Sequence, residues 1–376
     1  MKQEPDKSAG SQGIGSSWLT DPLLWPFAAA KSAVDACAWW LDHGFGSVNH
    51  HEPALSWTTP NKVALELSTL RLRDFSVRQA GQPALICAAF ALHDALIADL
   101  APGHSIVEAL RRGGIDRLYL TDWRSASPDM RLLSIDNYLA DLNVAIDEIG
   151  PPVDLIGLCQ GGWLSLVYAA RFPDKVRRLV LVGSPVDVSV ESDLSRIVAA
   201  APQSAFEALV RSGGSLVRGD HMLRFWSPLP DINTVLQRKL LRGAADDTEL
   251  LDRFACWYGK TLDLPGTLYL EVVNAIFREN RLAKGTFAAL GRESELARVT
   301  IPVFLLTGAD DEVVPPAQAL ATGPLLGTSA ALLETAIVPS THLGLFVGSR
   351  TLAVAWPQIA AWLQSGEPRL REIASA

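Results

Sequence analysis

The sequence predicts an α/β fold: a mostly parallel sheet with helices on both faces and a helical cap inserted after a strand that ends near Gly183. Three observations predict it. Continuously apolar runs at 84–88, 153–158 and 179–182 alternate with helical patterns, as expected of strands buried on both faces. One of those runs turns abruptly, through a glycine-bracketed cysteine, into a helix-like segment. Between Pro185 and Thr300 the alternation stops and aromatic-bearing helical sequence takes over, before strands resume at Val303.

Taken in order, residues 1–17 are Ser/Gly-rich and read as a disordered tail. Residues 18–60 form an N-terminal helical segment. Its helix spans 27–42, with Phe27, Val34, Cys37 and Leu41 at helical spacing and Gly44 closing it. Packing on the body of the protein and contact with a hydrophobic particle surface are its two candidate uses. The core is expected over 61–185 and 300–376. It begins with an alternating edge strand at 63–72, a buried strand at 84–88, a helix at 105–112 and a strand at 117–122. A helix at 135–149 follows, closed by Gly150-Pro151-Pro152, then the strand 153–158 with its helix 163–171 and the strand 179–182. The cap occupies 186–299. Strands at 303–307 and 336–338 and an amphipathic helix at 351–363 complete the core.

With 376 residues, 48% of them hydrophobic and 20% charged, the chain can bury one large core plus a smaller subdomain. Its 33 basic and 41 acidic residues give a net charge of −8, which disfavours non-specific binding to nucleic acid or anionic lipid. The N-terminus lacks the basic start and apolar core of a secretory signal, so a cytoplasmic location is expected. Cys37, Cys87, Cys159 and Cys256 lie far apart without a CxxC pair, so neither a zinc site, another metal nor a disulfide framework is expected. The long uncharged stretch 313–333 is interrupted by Pro315, Pro316 and Pro324, so no transmembrane segment is expected.

The chemistry concentrates at Gly157-Leu158-Cys159-Gln160-Gly161-Gly162, the elbow of an α/β-hydrolase fold with cysteine where serine usually stands. A sharp strand-to-helix turn forces the nucleophile into strained backbone angles and brings neighbouring chain close, so Gly157 and Gly161 must lack side chains. The thiol then sits at a helix N-terminus, where free N–H groups favour thiolate over thiol. The competing reading makes Cys159 one more small buried side chain. Chain order decides between them, because in this fold the acid and then the histidine follow the nucleophile, each on a loop after a strand. The strand at 303–307 runs into Asp310-Asp311, and the strand at 336–338 runs into His342. His342 is the expected general base and Asp311 its orienting partner, with Asp310 as the alternative.

Backbone N–H groups of Gln160 and of a residue near Phe90 are the expected oxyanion hole, since the loop after the strand 84–88 gives the second donor in this fold. His93 lies on that loop, and its role is open. The remaining histidines, His43, His50, His51, His104 and His221, carry no catalytic or metal-binding pattern, since adjacent side chains such as His50 and His51 diverge. Gly259-Lys260-Thr261 looks like the end of a phosphate loop, but Phe254 stands where such a loop needs its first glycine.

On these residues the chain resembles the polyhydroxyalkanoate synthase family, whose elbow carries a Gly-x-Cys-x-Gly-Gly box. The likeness extends over about 60–350 and includes Asp122-Trp123-Arg124, Leu264-Pro265-Gly266, Asp311-Glu312-Val313-Val314-Pro315 and His342. It implies that Cys159 carries an acyl group taken from a 3-hydroxyacyl-CoA, with His342 as base, Asp311 as its partner and no cofactor. It further implies a partner subunit, a polyester granule surface and a homodimer as possible associations. Trp163, His93 and Trp257 are the expected substrate contacts. Three positions depart from the family's pattern: Trp163 replaces a threonine, Ala91-Leu92-His93-Asp94-Ala95 replaces an Ile-Asn-Lys loop, and Ser340-Thr341 precedes the histidine in place of Ser-Gly. If Trp163 narrows the space beside Cys159, single acyl transfers are expected rather than long polymer. A cysteine-dependent hydrolase of polyester or acyl thioesters is the alternative function, and an inactive granule-associated subunit the second alternative.

Overall fold

The computed structural model describes residues 55–226 and 248–365. The expected tail at 1–17 and helix at 27–42 lie outside the described residues.

Eight strands form one sheet: β1 (Lys62–Glu66), β2 (Leu70–Asp74), β3 (Ala84–Cys87), β4 (Leu118–Trp123), β5 (Val153–Leu158), β6 (Val176–Val182), β7 (Val303–Gly308) and β8 (Leu333–Val338). Their spatial order is β1-β2-β4-β3-β5-β6-β7-β8, with β2 antiparallel to both β1 and β4 and every other pairing parallel. Every residue of β3, β4, β5 and β7 is buried, which accounts for their predominantly apolar sequences; Thr121, Asp122, Asp154 and Thr307 are the buried polar exceptions.

The edge strand expected over 63–72 is two strands. The chain reverses at Leu67–Thr69, where the Leu67 N–H donates to the Leu70 carbonyl at 2.8 Å and the Asp141 carboxylate accepts from the Thr69 hydroxyl at 2.7 Å. An alternating pattern that continues across a tight reversal conceals the turn, because the residues on either side of it keep the same polarity rhythm.

Among the crossover helices are α1 (Ile106–Arg112), α2 (Ile135–Ile149) and α3 (Gln160–Arg171). The Ser105 hydroxyl caps α1 by accepting from the Glu108 N–H at 2.9 Å. Helix α2 buries Ile135, Tyr138, Leu139, Leu142, Ala145, Ile146 and Ile149, an i, i+3, i+4, i+7 stripe, and packs on α3.

Between β6 and β7 the chain leaves the sheet. Its described elements there are α4 (Asp193–Ala200), α5 (Gln203–Ser212), α6 (Gly219–Trp226), α7 (Thr248–Gly259), α8 (Gly266–Glu271) and a π-helical segment, Val272–Arg278. Two short antiparallel pairs, Leu216–Val217 with Leu264–Pro265 and Ala288–Ala289 with Arg292–Glu293, punctuate these helices. After β7 come α9 (Pro316–Leu320) and, beyond β8, α10 (Gly344–Val347) and α11 (Ser349–Gln364), which packs against α1.

Candidate active site

Cys159 joins β5 to α3 with φ 49° and ψ −115°, a conformation that side chains other than glycine rarely adopt. Its N–H is held by the Val182 carbonyl at 2.9 Å. The turn closes only because its neighbours are glycine. A Cβ on Gly157 would overlap the Gly162 Cα and lie 2.8 Å from the Gly161 carbonyl oxygen, and one on Gly161 would overlap the Cys87 carbonyl oxygen. The thiol therefore stands at the start of a 12-residue helix, beside the Gln160 N–H, which as the first helical donor has no carbonyl one turn back to bind.

The loops after β7 and β8 bring the other two residues to it. His342 Nδ1 lies 2.8 Å from Asp311 Oδ2. Asp311 Oδ1 accepts from the N–H groups of Val313 at 3.0 Å and Val314 at 2.8 Å, so the buried carboxylate is held at both oxygens. Asp310, the alternative partner, is exposed. With Nδ1 directed to Asp311, the ring turns its other side to the Cys159 thiol, which interacts with it. Burial works against the charged imidazolium, but Asp311 and Cys159 outweigh it and push the His342 pKa up to about 10. Gly183, at φ 55° after β6, lets the chain pass close to the ring, since a Cβ there would sit 3.1 Å from His342 Cε1.

Above these residues lies a cavity of about 260 Å³. Cys159, Gln160 and His342 line it from the core, and Leu194, Met222, Leu268 and Phe277 from the elements between β6 and β7. Phe90 and His93 border it from the loop after β3, and Trp257 from α7.

Of the expected substrate contacts, His93 and Trp257 therefore reach the cavity and Trp163 does not. Trp163 is fully buried behind the elbow, edge-on to Phe90 and Phe287, and its indole Nε1 donates to Gln160 Oε1 at 2.7 Å. Four residues beyond the nucleophile, on α3, it is packed into the core and is not part of the cavity lining, so it fills core space and does not narrow the cavity. The Phe90 ring is likewise buried, against Trp123, Tyr138 and Trp163, so only its backbone could serve an oxyanion.

Several features of the site carried no sequence signal. Leu92 adopts φ 69°, a strained value for a residue with a side chain. His93 packs against the rings of Trp257 and Tyr258, each 4.6 Å away, and burial there pushes its pKa down to about 4, so it is neutral at physiological pH. Lys260, within the rejected phosphate-loop pattern, forms an ion pair with Asp94 at 2.8 Å. These pairs are 166 residues apart in sequence or similarly distant, and no local pattern encodes them. Among the described residues, no cluster of His, Cys, Asp or Glu could hold a metal ion.

Residues 104–348 match the α/β hydrolase fold family. The enol-lactonase of Burkholderia xenovorans superposes on 81% of this chain and 100% of its own with a TM-score of 0.53 at 16% identity, a likeness of fold alone. Among characterised sequences, the poly(3-hydroxyalkanoate) polymerase subunit PhaC of Synechocystis sp. is 30% identical over 70% of this chain and 73% of its own length. The chain belongs to the poly(3-hydroxyalkanoate) polymerase family. A second member, the subunit of the same name from Haloferax mediterranei, is 26% identical over 81% of this chain and 63% of its own. Within the polymerase family the fold expected from the sequence is thus the fold found, an α/β hydrolase sheet. No helix among the described residues is long and apolar enough to cross a membrane.

Proposed function

We propose that this protein is a cysteine-dependent acyltransferase that takes a 3-hydroxyacyl group from its CoA thioester and passes it to a hydroxyl. The observation that carries this reading is the array Cys159, His342 and Asp311 at the floor of an apolar cavity, with the thiol at a strained elbow and the imidazole held charged.

In the first half-reaction the Cys159 thiolate attacks the thioester carbonyl. The N–H of Gln160 and one from the Phe90 loop stabilise the oxyanion. As the tetrahedral adduct collapses, the bond to the CoA sulfur breaks and the His342 imidazolium gives that sulfur its proton, leaving a Cys159 thioester and a neutral imidazole. In the second half-reaction His342 takes the proton of the 3-hydroxyl on the acceptor, whose oxygen attacks the Cys159 thioester. An ester forms, the bond to Cys159 breaks, and the thiolate–imidazolium pair is restored. Asp311 keeps the ring oriented throughout and stabilises its charged form.

A thioester intermediate suits transfer, because it retains the acyl-transfer potential that a serine ester would lose. The apolar walls favour an alcohol over water as acceptor by limiting free water at the acyl group. The cavity, at about 260 Å³ just below the roughly 300 to 1,000 Å³ typical of ligand pockets, suits an acyl group and its acceptor rather than a whole CoA. Association with a partner subunit, a polyester granule surface and a second copy of the chain belongs to the same reading, supported by the family membership.

The test is incubation with 3-hydroxybutyryl-CoA, following both CoA release and the fate of the acyl group. Ester-linked oligomers or polymer are the expected product. CoA release with free 3-hydroxybutyrate as the only acyl product would contradict the transferase reading in favour of the hydrolase.

A further inference from the structure

The loop after β3 must supply the second oxyanion donor, yet it contains a strained residue and has little regular structure of its own. Residues 257–262, at and beyond the end of α7, hold its outer part, Leu92–Asp94, by direct contact. The Leu262 N–H donates to the Leu92 carbonyl at 2.9 Å, directly at the residue with φ 69°. His93 forms a lone β-bridge with Thr261, and its Nδ1 lies 3.3 Å from the Lys260 carbonyl oxygen. Trp257 Nε1 donates to the Asp94 carbonyl at 3.1 Å. Lys260 Nζ closes the set with a charge-assisted bond to Asp94 Oδ2 at 2.8 Å, and the Asp94 side chain is largely buried.

These contacts bind the outer part of the loop, Leu92–Asp94, to a segment of the cap, while its start is held by the sheet: the Ala88 N–H donates to the Thr121 hydroxyl at 3.0 Å, Trp123 Nε1 donates to the Ala88 carbonyl at 2.8 Å, and the Phe90 ring packs on Trp123. We propose that Lys260 is a positioning residue, and that its ion pair with Asp94 clamps the loop so that the oxyanion hole is complete only when the end of α7 is docked. Leu92 would otherwise relax from its strained backbone angles and carry the loop's N–H groups out of register with the Gln160 donor. Acylation thereby depends on the cap's position through Lys260, which is not part of the cavity lining. This inference rests on the elbow and oxyanion-hole reading above, and not on the identity of the acyl acceptor.

The experiment compares two reactions of the same thiol in the full chain. The acylation burst with p-nitrophenyl acetate requires the oxyanion hole, whereas alkylation of Cys159 by iodoacetamide requires the activated thiol but no oxyanion donor. Lys260→Met should slow the burst about tenfold, a fraction of the loss expected for removing an oxyanion donor outright, and leave alkylation within about twofold of wild type. Lys260→Arg, which keeps the charged donor, should restore most of the burst. A burst unchanged in Lys260→Met would overturn the clamp, as would a parallel loss of burst and alkylation, or a failure of arginine to restore the burst. A normal wild-type burst without acyl transfer from 3-hydroxybutyryl-CoA would sink the transferase reading and leave the clamp standing. The absence of any wild-type burst would overturn both.

Discussion

The Asp311 carboxylate gives one oxygen to His342 Nδ1 at 2.8 Å and the other to the N–H groups of Val313 and Val314. The acid is therefore fixed before the histidine is considered: its loop wraps around it, and the imidazole finds a rigid acceptor. Burial alone would drive the ring neutral. The carboxylate on one side and Cys159 on the other reverse that outcome and hold it protonated up to about pH 10.

That reversal makes stability depend on pH in a definite direction. The His342 pKa is raised above its ordinary value of 6.5, so the protonated ring's contribution to stability is fully present below pH 6.5 and is lost as pH rises toward about 10. His342→Gln removes the titration. The difference in Tm between wild type and His342→Gln should accordingly shrink from pH 6.5 to 10 in thermal scans across that range. A difference that stays constant or grows would contradict the charged pair.

Much of this site was legible in the sequence because the fold ties chemistry to strand ends. Cys159, Asp311 and His342 each follow an apolar run short enough to be a strand, and the order nucleophile, acid, histidine is itself a constraint. Asp311 is the expected partner and Asp310 the alternative; the loop's path buries the first carboxylate and exposes the second. The clamp on the oxyanion loop was out of reach, since it joins residues 92–94 to 257–262 through contacts that no periodicity records. Trp163 misled for a different reason. Adjacency to the elbow in sequence says little about adjacency to the thiol, because Cys159, at φ 49° and ψ −115°, lies outside the helix that directs Trp163 into the core, so the helical repeat does not relate the two side chains.

The buried position of Trp163 gives an opposite expectation from a residue that narrows the cavity. Trp163→Thr should not lengthen the products. It should destabilise the fold by about 3 to 5 kcal/mol, the usual cost of emptying a tryptophan-sized core position, because Phe90 and Phe287 lose their packing partner and Gln160 its donor. Urea titration reads the stability change, and product sizing from 3-hydroxybutyryl-CoA reads the other arm. A stable variant making longer polymer would return Trp163 to the cavity wall.

The central claim is that Cys159 carries the acyl group between donor and acceptor. Rapid quenching of the protein with 3-hydroxybutyryl-CoA, followed by peptide mass spectrometry, tests it most directly. The account predicts a hydroxylamine-labile adduct of one or more 3-hydroxybutyryl units on the peptide containing Cys159, appearing as CoA is released, with neither adduct nor CoA release in Cys159→Ala. CoA release at the wild-type rate from Cys159→Ala, or acyl transfer in the wild type with Cys159 never modified, would contradict it.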